Sequence, residues 1–279
     1  MTNLLILYPD IPGAAKAKKT YTDDTAEDPN EDSFHPARNT LRGERYQFWK
    51  SSYTATEHNL VYDCGTTSGV DNTKTASFVV LSRLDILRDA SAVIDFALQS
   101  SSDDVTYTDR HTITDLTTAT LSGAWSNDYV STFTATSAFR YWRANFAKSS
   151  GSDFQLKIGK IYFGNAFDMG RDPAWQIERV TSGDVSFLTS GGIEYPGRIQ
   201  HPRYEIALTW SGVSDANLSS FMTTIVSKRY TTPIFLYTSS FHDPLDGKGL
   251  IHCKLVDIET QHEYTNWNNI RAKFVEVIG

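Results

Sequence analysis

The chain has 279 residues, 40% of them hydrophobic, and carries 33 Asp and Glu against 26 Lys and Arg, a formal net charge of −7. An acidic chain without clustered basic residues lacks the electrostatic footprint of a nucleic-acid binder, and no run approaches the about 20 apolar residues that span a membrane. Cys64 and Cys253 stand far apart, which excludes a disulfide framework and leaves them as small buried hydrophobes. The length suits two modest cores better than one.

In chain order, residues 4–8 read as a first strand that ends at Pro9. The opening stretch has too short an apolar run and no basic region for an export signal, so the chain is expected to be made in a cytoplasm without one. Residues 13–31 are rich in Lys, Thr, Asp, Pro and Asn and lack apolar periodicity, the pattern of an exposed arm. Strands then follow at turn-punctuated spacing over 59–64, 76–81, 92–99, 106–114, 141–146 and 155–163. In the third of these, Ile94, Phe96 and Leu98 alternate with Val93, Asp95, Ala97 and Gln99, the period of two of a strand buried on one face. High aromatic and β-branched content suits such pleated surfaces, and the whole pattern is that of a β-sandwich. A polar connector at 164–173 then marks a domain boundary.

Beyond it, Gly191 and Gly192 signal a hairpin, and Tyr204, Ile206, Leu208 and Trp210 alternate onto one strand face. Ser214 can cap a helix that runs to about residue 229, with Leu218, Phe221, Met222 and Ile225 at helical spacing. Strands at 234–238, 249–259 and 269–277 complete a mostly antiparallel unit carrying this one helix.

Several of these residues form recognisable series. Ala37, Asn39 and Leu41 precede Trp49 and Ser51; Asp63 and Gly65 follow the next strand; Arg140, Tyr141 and Arg143 open a late one. This arrangement resembles the galactose-binding-like, or discoidin-type, β-sandwich. Ser101, Asp103 and Tyr107 resemble a hairpin of the same family, except that Asp104 or Val105 stands where a Gly is usual. The order of elements from about residue 175, with Phe274-Val-Glu-Val-Ile278 at the end, resembles tail-tip proteins of long-tailed bacteriophages.

The expected fold is therefore mainly β. A strand and arm (1–33) lead into a galactose-binding-like sandwich (34–168) and a smaller antiparallel β domain with a packed helix at about 214–229 (169–279). The resemblance implies a structural virion protein of a siphovirus, of distal-tail or minor tail type, assembled in the host cytoplasm. It would form a ring with copies of itself between tail tube and tail-tip hub proteins, with the sandwich as docking or adhesion module. The alternative is a carbohydrate-binding adhesin module that contacts a host-surface glycan. For assembly, the last strand is expected to present a free edge, with Ile270, Phe274, Val275 and Val277 at the interface.

No catalytic signature is found. The seven His show no H-x-x-x-H spacing, there is no C-x-x-C, and G-x-S-x-G, P-loop and G-x-G-x-x-G patterns are missing. His242, Asp243 and Asp246 lie in a Gly-containing turn that explains them by geometry alone. No cofactor is implied and no metal site is expected: Asp103, Asp104 and Asp109 offer oxygen ligands, but their spacing fits no EF-hand and suits solvated hairpin acids better. Sugar binding needs an aromatic platform and a few polar groups. Trp49, Arg140 and Arg143 are of the right types, although Trp49 suits core packing better than sugar stacking. Trp125, in a polar loop, is the better exposed candidate.

Overall fold

A computed structural model describes residues 4–9, 16–20, 49–51, 56–82, 85–88, 93–116, 129–180, 187–188, 194–195, 203–228, 234–237 and 250–277. The chain divides into two compact units: Leu7–Ala166 with Leu245–Leu250 and Gly279, and Met1–Ile6 with Phe167–Pro244 and Ile251–Ile278. Strand β1 (Leu5–Pro9), buried at Ile6 and Leu7, carries the boundary.

The first unit is a sandwich of antiparallel strands. One sheet contains β2 (Lys16–Thr20) and β4 (Glu57–Asp63); β3 (Trp49–Lys50), between them in sequence, lies elsewhere. The short β5 (Thr66–Thr67) and β6 (Val70–Asp71) pair as a hairpin, followed by β7 (Phe78–Ser82), β8 (Asp85–Arg88), β9 (Val93–Ser101), β10 (Thr108–Ile113), β11 (Tyr129–Thr132) and β12 (Tyr141–Ser150). The order of the main sheet is β10-β9-β12-β4-β2. Opposite it stand β11, β7 and β14 (Lys160–Asp168), and a three-stranded sheet of β3, β13 (Phe154–Ile158) and β8.

Period-two patterning builds the core between these layers. Leu60 and Tyr62 of β4, Ile94, Phe96 and Leu98 of β9, and Trp142, Ala144 and Phe146 of β12 pack against Val79 and Leu81 of β7, Phe154, Leu156 and Ile158 of β13, and Ile161 and Phe163 of β14. Tyr62 and Trp142 meet the Phe163 ring at centroid distances of 5.3 and 5.6 Å.

Two sequence expectations change here. The arm was expected to lack regular structure, yet residues 16–20 add a strand to β4, with Lys16 opposite Asp63 and Thr20 opposite Asn59. Edge pairing needs backbone donors and acceptors, not apolar side chains, so hydrophobic patterning gives no hint of it. The remainder of the arm lies outside the described residues. The single strand expected over 155–163 is two strands in different sheets, broken at Gly159, whose amide bonds the Ser82 carbonyl at 3.1 Å.

In the second unit, β15 (Ala174–Val180), the hairpin strands β16 (Phe187–Leu188) and β17 (Glu194–Tyr195), β18 (Arg203–Ser214), α1 (Asp215–Thr224), β19 (Ile234–Tyr237), β20 (Leu250–Tyr264) and β21 (Trp267–Glu276) follow in sequence. Their sheet order is β19-β20-β21-β18-β15, with β16 and β17 apart. The expected hairpin is present, pairing Phe187 with Tyr195. Ile206, Leu208 and Trp210 are buried on one face of β18. The Ser214 hydroxyl accepts the Asn217 amide at 3.2 Å and caps α1. Phe221 and Ile225 turn inward, whereas Met222 is 40% exposed.

The free edge expected on the last strand is not there. β21 is hydrogen-bonded on both sides, to β18 and β20, and Ile270 and Phe274 are fully buried. Val275 and Val277 are partly exposed. A strand at the chain end looks like an edge in sequence, but antiparallel return connections can place it centrally. Glu276, in the terminal apolar-Glu-apolar motif, accepts the Tyr204 amide at 3.1 Å.

His252 stacks on Phe235 at 4.8 Å. Burial, with help from the Lys254 charge, lowers its pKa from 6.5 to about 4. The unfolded chain therefore takes up a proton that the folded chain refuses. Stability should be complete above pH 6.5 and should fall as pH drops through the interval to about 4. Burial lowers His58 and His111 in the same sense. Denaturant unfolding across this range should give a falling midpoint, and His252→Gln should reduce the slope without abolishing it.

Candidate functional site

The same alternation that fills the core places Tyr141, Arg143 and Asn145 of β12 on the opposite face of the main sheet. Register extends this into rows. Arg143 lies opposite Val61 on β4 and Gln99 on β9, Gln99 lies opposite Asp109 on β10, and Val61 lies opposite Lys18 on β2. Hydrogen bonds run along the row: Gln99 Nε2 donates to Asp109 Oδ1 at 2.7 Å, and Arg143 Nε donates to Gln99 Oε1 at 2.5 Å. The Arg143 guanidinium lies 4.0 Å from the centre of the Tyr107 ring. The Tyr107 hydroxyl donates to Asp104 Oδ1 at 2.6 Å. Burial and that carboxylate push the phenol well above its ordinary range, so it remains a neutral donor.

The hairpin that delivers Tyr107 is fixed by Asp103. Its Oδ1 accepts the Val105 and Thr106 amides, both at 2.9 Å, and the Ser101 hydroxyl at 2.7 Å. These bonds hold its pKa down to about 2. Asp104 adopts the left-handed conformation, φ 62°, which Asp tolerates better than most residues. Asp104, not Val105, thus takes the backbone position where the resembled hairpin has Gly.

Arg140 has a different task. It donates to both oxygens of Asp63 at 2.8 and 3.0 Å and to Asp71 at 2.8 Å, and its guanidinium lies over the Tyr141 ring. Asp63 also accepts the amide of Gly65, whose φ of 77° closes the turn after β4. The Asp-x-Gly and Arg-Tyr-x-Arg segments are therefore two halves of one clasp, joined by a bidentate ion pair. With its donors committed to acids, Arg140 serves the turn.

Of the sequence candidates, only Arg143 stands as an available polar group. Trp49 must be corrected: it is 1% exposed, with its ring edge-on to His58 at 6.1 Å, so no sugar can stack on it. Trp142 is fully buried as well. Trp125 lies outside the described residues. Asp103, Asp104 and Asp109 have separate partners, and no group of three or more metal-ligating side chains is found among the described residues. Tyr107 and Gln99 were missed as site residues. Gln99 could have been found from the outward phase of β9, but its register against Arg143 is a tertiary fact.

No family model and no curated protein matches the sequence. Among solved structures, the chain is similar to chitosan-binding module 1 from a chitosanase/glucanase of Paenibacillus sp. IK-5, at 14% identity over 56% of this chain and 99% of that one, with a TM-score of 0.37. It is also similar to CBM32-1 from a family 31 glycoside hydrolase of Clostridium perfringens, at 14% identity over 57% and 99%, TM-score 0.39. A further match is a CBM32 module of a Clostridium perfringens protein, in complex with GalNAc-β-1,3-galactose, at 12% identity over 55% and 97%, TM-score 0.36. Likenesses of this extent carry no argument about what this chain does.

The assignment of Trp49 to the core has a measurable consequence. Trp49→Ala should lower unfolding free energy by roughly 3–5 kcal/mol, as truncation of a buried Trp does, whereas Arg143→Ala, which loses one hydrogen bond to Gln99 and a ring contact with Tyr107, should cost about 1 kcal/mol. Denaturant titration of both variants decides between packing and surface roles.

Proposed function

We propose that the sandwich unit is a non-catalytic saccharide-binding module whose contact surface is the outer face around Arg143 and Tyr107. One observation carries this reading: a guanidinium held in place by Gln99 and seated on a partly exposed aromatic ring. Sugars present vicinal hydroxyls beside apolar C–H faces, and planar polar side chains next to an aromatic ring complement both. The Asp109-Gln99-Arg143 row adds acceptor and donor groups fixed before a ligand arrives, which limits the entropy lost on binding. Chitosan binding is named for one module to which the chain is similar; for this chain the reading rests on Arg143 and Tyr107.

In a glycan array with the full chain, Arg143→Ala and Tyr107→Ala should each remove the signal while the variants still unfold cooperatively, with the midpoint lowered most for Tyr107→Ala, which gives up a half-buried ring and its bond to Asp104. Retention of the full signal by both folded variants would refute this site.

A second reading concerns the C-terminal unit, which resembles tail-tip ring domains of siphoviruses. The tip of the β20–β21 hairpin exposes Tyr264 and Trp267, paired across the turn, at 72% and 43%. Exposed apolar side chains on one hairpin favour contact with another protein surface. On this reading the chain assembles into a ring within a virion tail tip, between tail tube and hub proteins, with the sandwich as its adhesion module. Light scattering should show an oligomer that Tyr264→Ser with Trp267→Ser dissociates; a parent chain monomeric at all concentrations would contradict the reading.

A further inference from the structure

The geometry points to a ligand that carries a carboxylate: the Arg143 guanidinium is the receptor for the acid group of a hexuronate residue within the saccharide. This deepens, and rests on, the reading of the sandwich as a saccharide-binding module.

The contrast between two arginines of one segment supports it. Arg140 is neutralised by Asp63 and Asp71. Arg143, two strand positions away from Tyr141 on the same face, has no carboxylate partner among the described residues; its only hydrogen bond there is the one from Nε to the neutral Gln99 amide. That bond and the Tyr107 ring fix the plane of the guanidinium. Among the described residues both Nη groups are left as a forked pair of donors, the geometry that matches the two oxygens of a carboxylate.

The acids nearest in the network do not fill this role. Asp109 is engaged by Gln99 Nε2, on the other side of the amide from Arg143, and Asp104 is engaged by the Tyr107 hydroxyl. Each acid orients the group that orients Arg143. A neutral sugar would use the fork only through hydroxyls, whereas a hexuronate would supply the missing counter-charge together with the ring.

The test compares hexuronate oligosaccharides, oligogalacturonate and oligoglucuronate, with their carboxyl-reduced counterparts, which differ only in a hydroxymethyl group in place of each carboxylate. Titration calorimetry on the full chain should show at least one acid form binding about tenfold or more tightly than its reduced form, the difference expected of a charged hydrogen bond. Arg143→Gln should erase that preference, and Arg143→Lys should restore only part of it, because an ammonium lacks the fork. Equal binding of acid and reduced forms would overturn the inference while leaving the module reading intact. Absence of binding by every saccharide would overturn both. A sulfated galactan bound as tightly as the hexuronates would show general charge attraction and refute the fit to a planar carboxylate.

Discussion

The placement of β12 between β4 and β9 is the constraint from which the rest of the sandwich follows. With hydrogen bonds on both sides, its side chains have two destinations only. Trp142, Ala144 and Phe146 enter the core, where the area removed from water supplies the main stabilisation. Tyr141, Arg143 and Asn145 are turned to the other face. A shift of one residue in this register would bury Arg143 and expose Trp142, so the hydrophobic pattern that selects the fold also sets the position of the candidate site. The Arg140 clasp to Asp63 ties the start of the strand to the turn after β4, reinforcing that register at its end.

Asn145 shows how the outer face is organised away from Arg143. Its side-chain amide donates to Asn59 Oδ1 at 2.8 Å and to the Glu57 carboxylate, while Asn59 donates to the same carboxylate. Asn59 and Asn145 are nearly buried, and a closed network of this kind satisfies polar groups that would otherwise be costly to remove from water. Around Arg143 the network is open at its end. That difference distinguishes a structural polar cluster from one with donors to spare.

Much of the sandwich was legible in the sequence because its main signals are local. The alternation of Ile94, Phe96 and Leu98, the aromatic content and the turn residues each follow from strand geometry over a few positions. The helix cap at Ser214 is equally local. What was not legible depends on pairing: the edge strand at 16–20, the break at Gly159, and the central position of β21 each involve partners tens of residues away. The candidate site divides in the same way. Arg140 and Arg143 look alike in sequence, yet one is committed to Asp63 and Asp71 while the other, among the described residues, meets Gln99 and Tyr107. Trp49 could be listed both for the core and for a sugar platform because aromatic residues serve either use, and burial separates the two.

The central claim is that ligand meets the outer face at Arg143 rather than another part of the sandwich. Two-dimensional NMR of the isotope-labelled full chain, titrated with an oligosaccharide that binds, locates contact without any substitution. The account predicts that the largest shifts map to the Arg143 side chain, Gln99 and Tyr107, with the core indole of Trp142 unmoved. Shifts concentrated at the β5–β6 hairpin or on the C-terminal unit, with Arg143 unchanged, would contradict it.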